Sequence, residues 1–501
     1  MAKPLQPLVI QAPAFYGLNT QDSPTSLTEQ FALQADNCVI DRFGRIGARK
    51  GYQFINSSTG AIVSLHEHIN ADSSSELLSS TDSAIYSGTD TLTDITPTGY
   101  TVSDGLFNYA TLNNITYIFR QGTTPLYYDG TTCDLIENNG FYSGTAPQGN
   151  IVLAGFGRLW VADGAKIYFS DLLTGMAWDT GSSGSIDISK VWSAGSDTIT
   201  GLAAHNNFLF IFGKRQIIIY QGAADPATMS LADSIVGIGC LEHKTLQNTG
   251  SDLIFLSETG VRSINRTIQE KSAPIGDMSK NVRNELGSYL TAGYTYDSVY
   301  SPNEAFYLLN IKGAGVVYVF DMRGNLEDGS SRVTKWSSIN PRCMLYRTVQ
   351  NDIILGKDTG CVKYTGYLDD VAIDGSGGAS YQMSYFSNYL DFGAPSNLKM
   401  LKTLKITFIG GSDTNVTLNY GYDYNFAYKK RAFILPEQNI AEYGIAEFGV
   451  GEYNQGILVN RPSVNASSGG GVVQLGVEVT INGSPISVQR ITAQAVLGRV
   501  I

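Results

Sequence analysis

The sequence predicts an all-β fold: a β-propeller of six or seven blades, with an N-terminal extension before it and a C-terminal β-sandwich after it. Three observations predict this. A hairpin unit recurs at a nearly regular interval. Charged residues are only 16% of the chain, against roughly 25% in an ordinary soluble domain. Finally, 54 Gly and 29 Tyr stand beside only 15 Pro in 501 residues, which suits many short strands joined by tight turns.

The unit is a short apolar strand, a turn holding Gly or Asp, and a second strand that usually ends in Val/Ile-Tyr. It spans residues 76–86, 115–127, 159–168, 208–220, 253–264, 306–318 and 353–364. Its landmark residues are Tyr86, Tyr127, Tyr168, Tyr220, Ile264, Tyr318 and Tyr364, spaced by 41, 41, 52, 44, 54 and 46 residues. About 40–50 residues is the length of one four-stranded blade. Asp163-Gly164 favours a type I′ turn, whose twist matches its flanking strands. The run from Phe208 to Phe212 shows no polar alternation, as expected of a strand covered on both faces. Sandwiches in series are the alternative. One helix interrupts the pattern over 272–290, where Met278, Val282, Leu286 and Leu290 form one apolar stripe and Asp277 is the candidate cap.

The ends differ from this middle. Residues 1–60 read as an arm with a hairpin turning at Asp41-Arg42-Phe43-Gly44, residues 61–370 as the propeller, and residues 371–501 as a sandwich or platform domain after a Gly/Ser-rich loop. Inside the last segment lies a five-residue quasi-repeat with Glu442-Tyr443, Glu447-Phe448 and Glu452-Tyr453. An odd period keeps switching strand faces, so a regular strand is disfavoured. These six residues are the candidate assembly contacts, with a surface loop pinned by its aromatics or a metal-tuned loop as the other readings.

The chemistry-bearing residues are few. The net charge is −11, and Lys429-Lys430-Arg431 is the one basic run that stands out, so tight nucleic-acid binding is not expected. The low charge is consistent with a surface covered by partners, or with one rich in Ser, Thr and Asn. Cys38, Cys133, Cys240, Cys343 and Cys361 are far apart, odd in number and without a C-x-x-C pair; they read as free thiols. His66 and His68 share a strand face and could pair on a metal, but no third ligand can be named, and two exposed histidines at a blade edge is the plainer reading. No nucleophile elbow, phosphate loop or His-Glu-x-x-His occurs. A carbohydrate-active propeller would need paired carboxylates. Its Asp-box has one imperfect match, Ser170 to Trp178, with Leu173 where the box Asp belongs. No catalytic, cofactor or metal site is expected. No apolar run approaches the ~20 residues of a membrane helix, and the first residues lack a signal-peptide order.

Several stretches resemble the tail nozzle (tail hub, tail-tubular, packaged-DNA stabilisation) proteins of short-tailed bacteriophages. They are Gly17-Leu18-Asn19-Thr20, Asn37, Gly44-Arg45, Arg49-Lys50-Gly51, residues 201–222, residues 236–261, Ser272-Ala273-Pro274-Ile275, Tyr389 to Gly393 and Leu398 to Lys402. The resemblance implies a non-enzymatic virion component made in the host cytoplasm. It implies a homo-hexameric ring at the distal end of the tail, below the portal adaptor. Viral DNA would pass through its lumen without specific binding, and tail fibre or needle proteins would dock outside. A propeller interaction scaffold working inside a cell is the alternative, and a carbohydrate-active propeller enzyme the third reading.

Overall fold

The computed structural model describes residues 5–270, 277–436 and 458–500. Within them, each landmark marks the third strand of one sheet. Tyr86, Tyr127, Tyr168, Tyr220, Tyr318 and Tyr364 lie in those strands, and Ile264 directly follows Gly260–Ser263. Six of the sheets are four-stranded blades. The first four run through residues 64–94, 108–135, 151–187 and 199–236, the fifth through 295–336, and the sixth through 343–364. Between the fourth and fifth sits a three-stranded sheet, Gln247–Asn248, Leu253–Ser257 and Gly260–Ser263. It lacks an outer strand because the chain turns into a helix, Ile264–Glu270.

The first strands of all seven sheets line one central cavity, which fixes the propeller axis. The ring closes through the N-terminal segment. Tyr52–Phe54 is the outermost strand of the sixth blade, with Tyr52 opposite Tyr364 and Phe54 opposite Val362. Backbone hydrogen bonds thus tie the beginning of the ring to its end.

Between neighbouring sheets lie separate apolar layers. Phe208–Gly213 explains the missing alternation: Leu209 and Ile211 pack toward the third blade, Phe210 and Phe212 toward the three-stranded sheet. Both faces of this strand are interior.

The expected helix over 272–290 is shorter. Residues 271–276 lie outside the described residues; Lys280–Val282 forms a 3-10 turn, and the α-helix runs Arg283–Thr291. Met278, Val282 and Leu286 are buried as the stripe requires. Asp277 does not cap the helix. Its carboxylate accepts hydrogen bonds from the backbone and hydroxyl of Ser279 and pairs with Arg283 at 3.0 Å. The Asn281 carbonyl is occupied by the N–H groups of Thr20 and Gln21, so the N-terminal segment anchors this turn.

Fourth-to-fifth-blade regularity ends where the fifth blade's sheet keeps growing. Its strand Ser331–Trp336 pairs in parallel with Gly17–Leu18, and the sheet continues through Phe31–Asp36, Tyr381–Ser387, Val473–Ile481, Asn415–Tyr422 and Lys429–Ile434 to ten strands. A seven-stranded sheet faces this extension; its longest strands are Asn397–Gly410 and Ile486–Val500, and it includes Leu5–Gln11 and the hairpin Cys38–Ile40/Ile46–Ala48. Ile10, Ile406, Phe408 and Ile491 from one sheet share a core with Tyr385, Leu418 and Val477 from the other. Strands from residues 5–48 and from 381–500 are therefore hydrogen-bonded into the same two-sheet body.

Candidate functional site

Two places gather polar side chains: the propeller axis and the junction between propeller and body. The axial cavity holds about 480 Å³ and is lined among others by His66, His243, Lys244, Gln247 and Asp297. Most of these groups are engaged by the walls. Asp297 accepts the N–H of Ser298 at 3.0 Å and of Met344 at 2.8 Å, and burial raises its pKa against the lowering pull of Lys312 and Lys244. The Lys244 ammonium reaches the Phe107 carbonyl at 3.4 Å, and burial lowers its pKa. Burial pushes His243 down to about 4 and His66 to about 3. Asp297 is the one carboxylate on this lining, whereas glycoside hydrolysis uses a facing pair.

His66-Glu67-His68 joins three blades. The two rings share a face, as strand alternation requires, and bond to Thr111 and Thr116 of the second blade, both at 2.8 Å. Glu67, on the opposite face, accepts the N–H and hydroxyl of Thr348 in the sixth blade at 2.6 and 2.7 Å. The histidines are not exposed at a blade edge: their strand is the innermost one, and His68 is fully buried. Among the described residues, no group of three or more His, Cys, Asp or Glu is placed to hold a metal.

The imperfect Asp-box is the link between the third and fourth strands of the third blade. Asp171 accepts the N–H groups of Leu172 and Ser182, and the Trp178 indole donates to the Gly175 carbonyl at 3.0 Å. Its polar groups close a turn. Cys38, Cys240, Cys343 and Cys361 are buried free thiols and Cys133 is half-buried. No helix among the described residues is long and apolar enough to cross a membrane. The six candidate assembly contacts, Glu442, Tyr443, Glu447, Phe448, Glu452 and Tyr453, lie outside the described residues.

At the junction, Arg49 has a fully buried side chain. Its guanidinium donates to both oxygens of Asp369 at 2.8 and 2.7 Å, to Asn37 at 3.1 Å, to Ser338 at 2.6 Å and to the Lys50 carbonyl at 2.7 Å. It also sits 3.8 Å from the Tyr381 ring centre. Burial works against the charge, but the hydrogen bond and charge of Asp369 outweigh it and raise the Arg49 pKa. Asn37, in a left-handed conformation with φ 51°, also donates to the Gln382 carbonyl at 2.9 Å. Two glycines permit close backbone contact: a Cβ on Gly17 would lie 2.3 Å from the Val333 carbonyl oxygen, and one on Gly51 would lie 1.9 Å from that of Leu368. A cavity of about 560 Å³ beside the ion pair is lined by Asp36, Asp369, Asp370 and Glu478. Sequence reading singled out Arg49 but not Asp369 or the axial Lys244 and Asp297. No local pattern links residues so far apart.

No family model matches the chain, and no curated protein matches it. Among solved structures, the chain is similar to the WD40 domain of Neurospora crassa Pan2, with 10% identity over 63% of this chain and 96% of that one, at a TM-score of 0.37. It is similar to the WD40 propeller of Doa1, with 14% identity over 62% and 96%, at 0.32. It is also similar to PorZ, a surface component of the type-IX secretion system of Porphyromonas gingivalis, with 12% identity over 62% of this chain and 37% of that one, at 0.30. The strand pairing described above, six four-stranded blades around one axis, establishes a β-propeller.

Proposed function

We propose that the chain is a non-catalytic interaction scaffold, a propeller fixed to a two-sheet body, and that its specific setting is the nozzle ring of a short-tailed phage tail. One observation carries the finer reading. Gly17, Asn37, Arg49 and Gly51, which carry the family resemblance, close the junction between propeller and body. Residues spent on rigidity suit wall material that must hold shape under load. The net charge of −11 suits a lumen past which phosphate backbones slide without sticking.

In this reading six copies form the ring, the portal adaptor holds one face, and fibre or needle proteins dock outside. Cryo-electron microscopy of intact particles, with mass spectrometry of their proteins, tests it. The expected result is this chain at six copies around a central pore. Its absence from particles, with the purified chain a lone disc, overturns the nozzle reading. Hydrolysis of host polysaccharide, abolished by one carboxylate substitution, overturns the non-catalytic one.

A further inference from the structure

Two opposite charges stand on the wall of the axial cavity without meeting. Lys244 lies in the 3-10 turn His243–Thr245 that leads into the three-stranded sheet, and Asp297 lies on Thr295–Ser301, the first strand of the fifth blade. The two elements hold each other in place. The Ser298 hydroxyl donates to the Lys244 carbonyl at 3.0 Å, and the Gln247 amide donates to the Ser298 carbonyl at 3.0 Å. Among the described residues, neither charged side chain forms an ion pair.

Both groups keep unspent hydrogen-bonding capacity. The Lys244 ammonium has three donors, and the walls offer it one acceptor, the Phe107 carbonyl at 3.4 Å. Each Asp297 oxygen accepts one backbone N–H and has a lone pair left. His243, on the same lining, has an Nδ1 without a partner among the described residues. Unpaired charges drawn out of water are costly, so a wall that holds two of opposite sign apart suits a guest that carries both.

The surroundings narrow that guest further. Each innermost strand stands at the end of its sheet, so its free edge turns backbone N–H and C=O groups toward the axis. Burial is the main influence on the pKa of Lys244, and the charges of Lys312, Asp297 and Glu242 act on it as well. Counting Lys244, the field around the cavity is balanced in sign, which favours a molecule of no net charge over a lone anion or cation. The volume of about 480 Å³ is within the roughly 300–1,000 Å³ of small-molecule pockets.

We propose that the axial cavity binds a free α-amino acid, its carboxylate on the Lys244 ammonium and its ammonium on the Asp297 carboxylate. The site goes beyond the scaffold reading and does not depend on it.

The test is titration calorimetry of the full chain at neutral pH with each common L-amino acid in turn. At least one is expected to bind with a Kd below about 1 mM. Its amide, which lacks the carboxylate, and its N-acetyl derivative, which lacks the ammonium, should each bind about tenfold more weakly or worse. Lys244→Met should weaken the parent amino acid to the level of its amide, and Asp297→Asn should weaken it to the level of its N-acetyl derivative, both with wild-type circular dichroism. If Asp297→Asn does not fold, the N-acetyl comparison on wild type reads the same contact. Failure of every amino acid to bind overturns the inference. So does an amide or N-acetyl derivative that matches its parent, or a folded Lys244→Met that binds as wild type does. None of these outcomes bears on the nozzle reading, which the composition of intact particles decides.

Discussion

Arg49 and Asp369 stand 320 positions apart in the chain and meet in a two-pronged ion pair with N–O distances of 2.8 and 2.7 Å. The pair sits where the last blade of the ring meets the two-sheet body, with Asn37, Ser338 and the Lys50 carbonyl taking the three remaining guanidinium hydrogens. Arg49→Ala leaves a buried carboxylate unpaired and should cost about 3–5 kcal/mol. Arg49→Lys should recover only part of this, because one ammonium cannot reproduce the planar fork. Urea denaturation of both variants measures it. An Arg49→Ala protein as stable as wild type would remove the junction's central role.

Gly51→Ala tests the same junction through the backbone. The added methyl would lie 1.9 Å from the Leu368 carbonyl oxygen, so the strand that closes the ring must shift. A loss of about 1–3 kcal/mol or more is expected. Limited proteolysis should then cut near Tyr52–Phe54 before it cuts any blade interior.

The interblade layers predict large effects from single aromatic deletions. Phe210 is 2% exposed and packs between the fourth blade and the three-stranded sheet, beside Phe212 and Phe208. Phe210→Ala should cost about 3–5 kcal/mol. The same substitution at Phe426, which is 77% exposed, should leave the melting temperature unchanged.

The axial histidines predict acid sensitivity. Burial holds His243 at about 4 and His66 at about 3, below the roughly 6.5 of an unfolded histidine. Between these values the unfolded chain binds protons that the folded chain refuses. Their contribution is therefore intact above pH 6.5 and is lost progressively as pH falls toward 4 and 3. Thermal melts from pH 7 to 4.5 should show a falling midpoint. The His66→Gln/His243→Gln double variant should fall less steeply, with proton uptake on unfolding reduced by about two. Identical pH profiles would contradict the buried, neutral state of these rings.

The propeller was legible because a blade is local. Its hairpins join strands a few residues apart, the turns hold Gly or Asp, and the landmark Tyr falls in the third strand of each four-stranded blade. The two longest spacings, 52 and 54, mark local additions: the long link between the third and fourth blades, and the helices before the fifth. The His66-Glu67-His68 triplet was visible as a pattern but misplaced. Whether a strand is innermost or at an edge depends on its sheet's position around the axis, which hairpin spacing does not encode.

By itself, then, the sequence determined the all-β class, the recurring blade and the two-sided burial of strands such as Phe208–Gly213, since each follows from residue type at short range. Only the tertiary structure decided that Tyr52–Phe54 closes the ring, that residues 5–48 share sheets with 381–500, and that Arg49 finds Asp369. A backbone hydrogen bond carries no label for its partner. Which distant strand is chosen is settled by the packing of the whole chain, after the local units have formed.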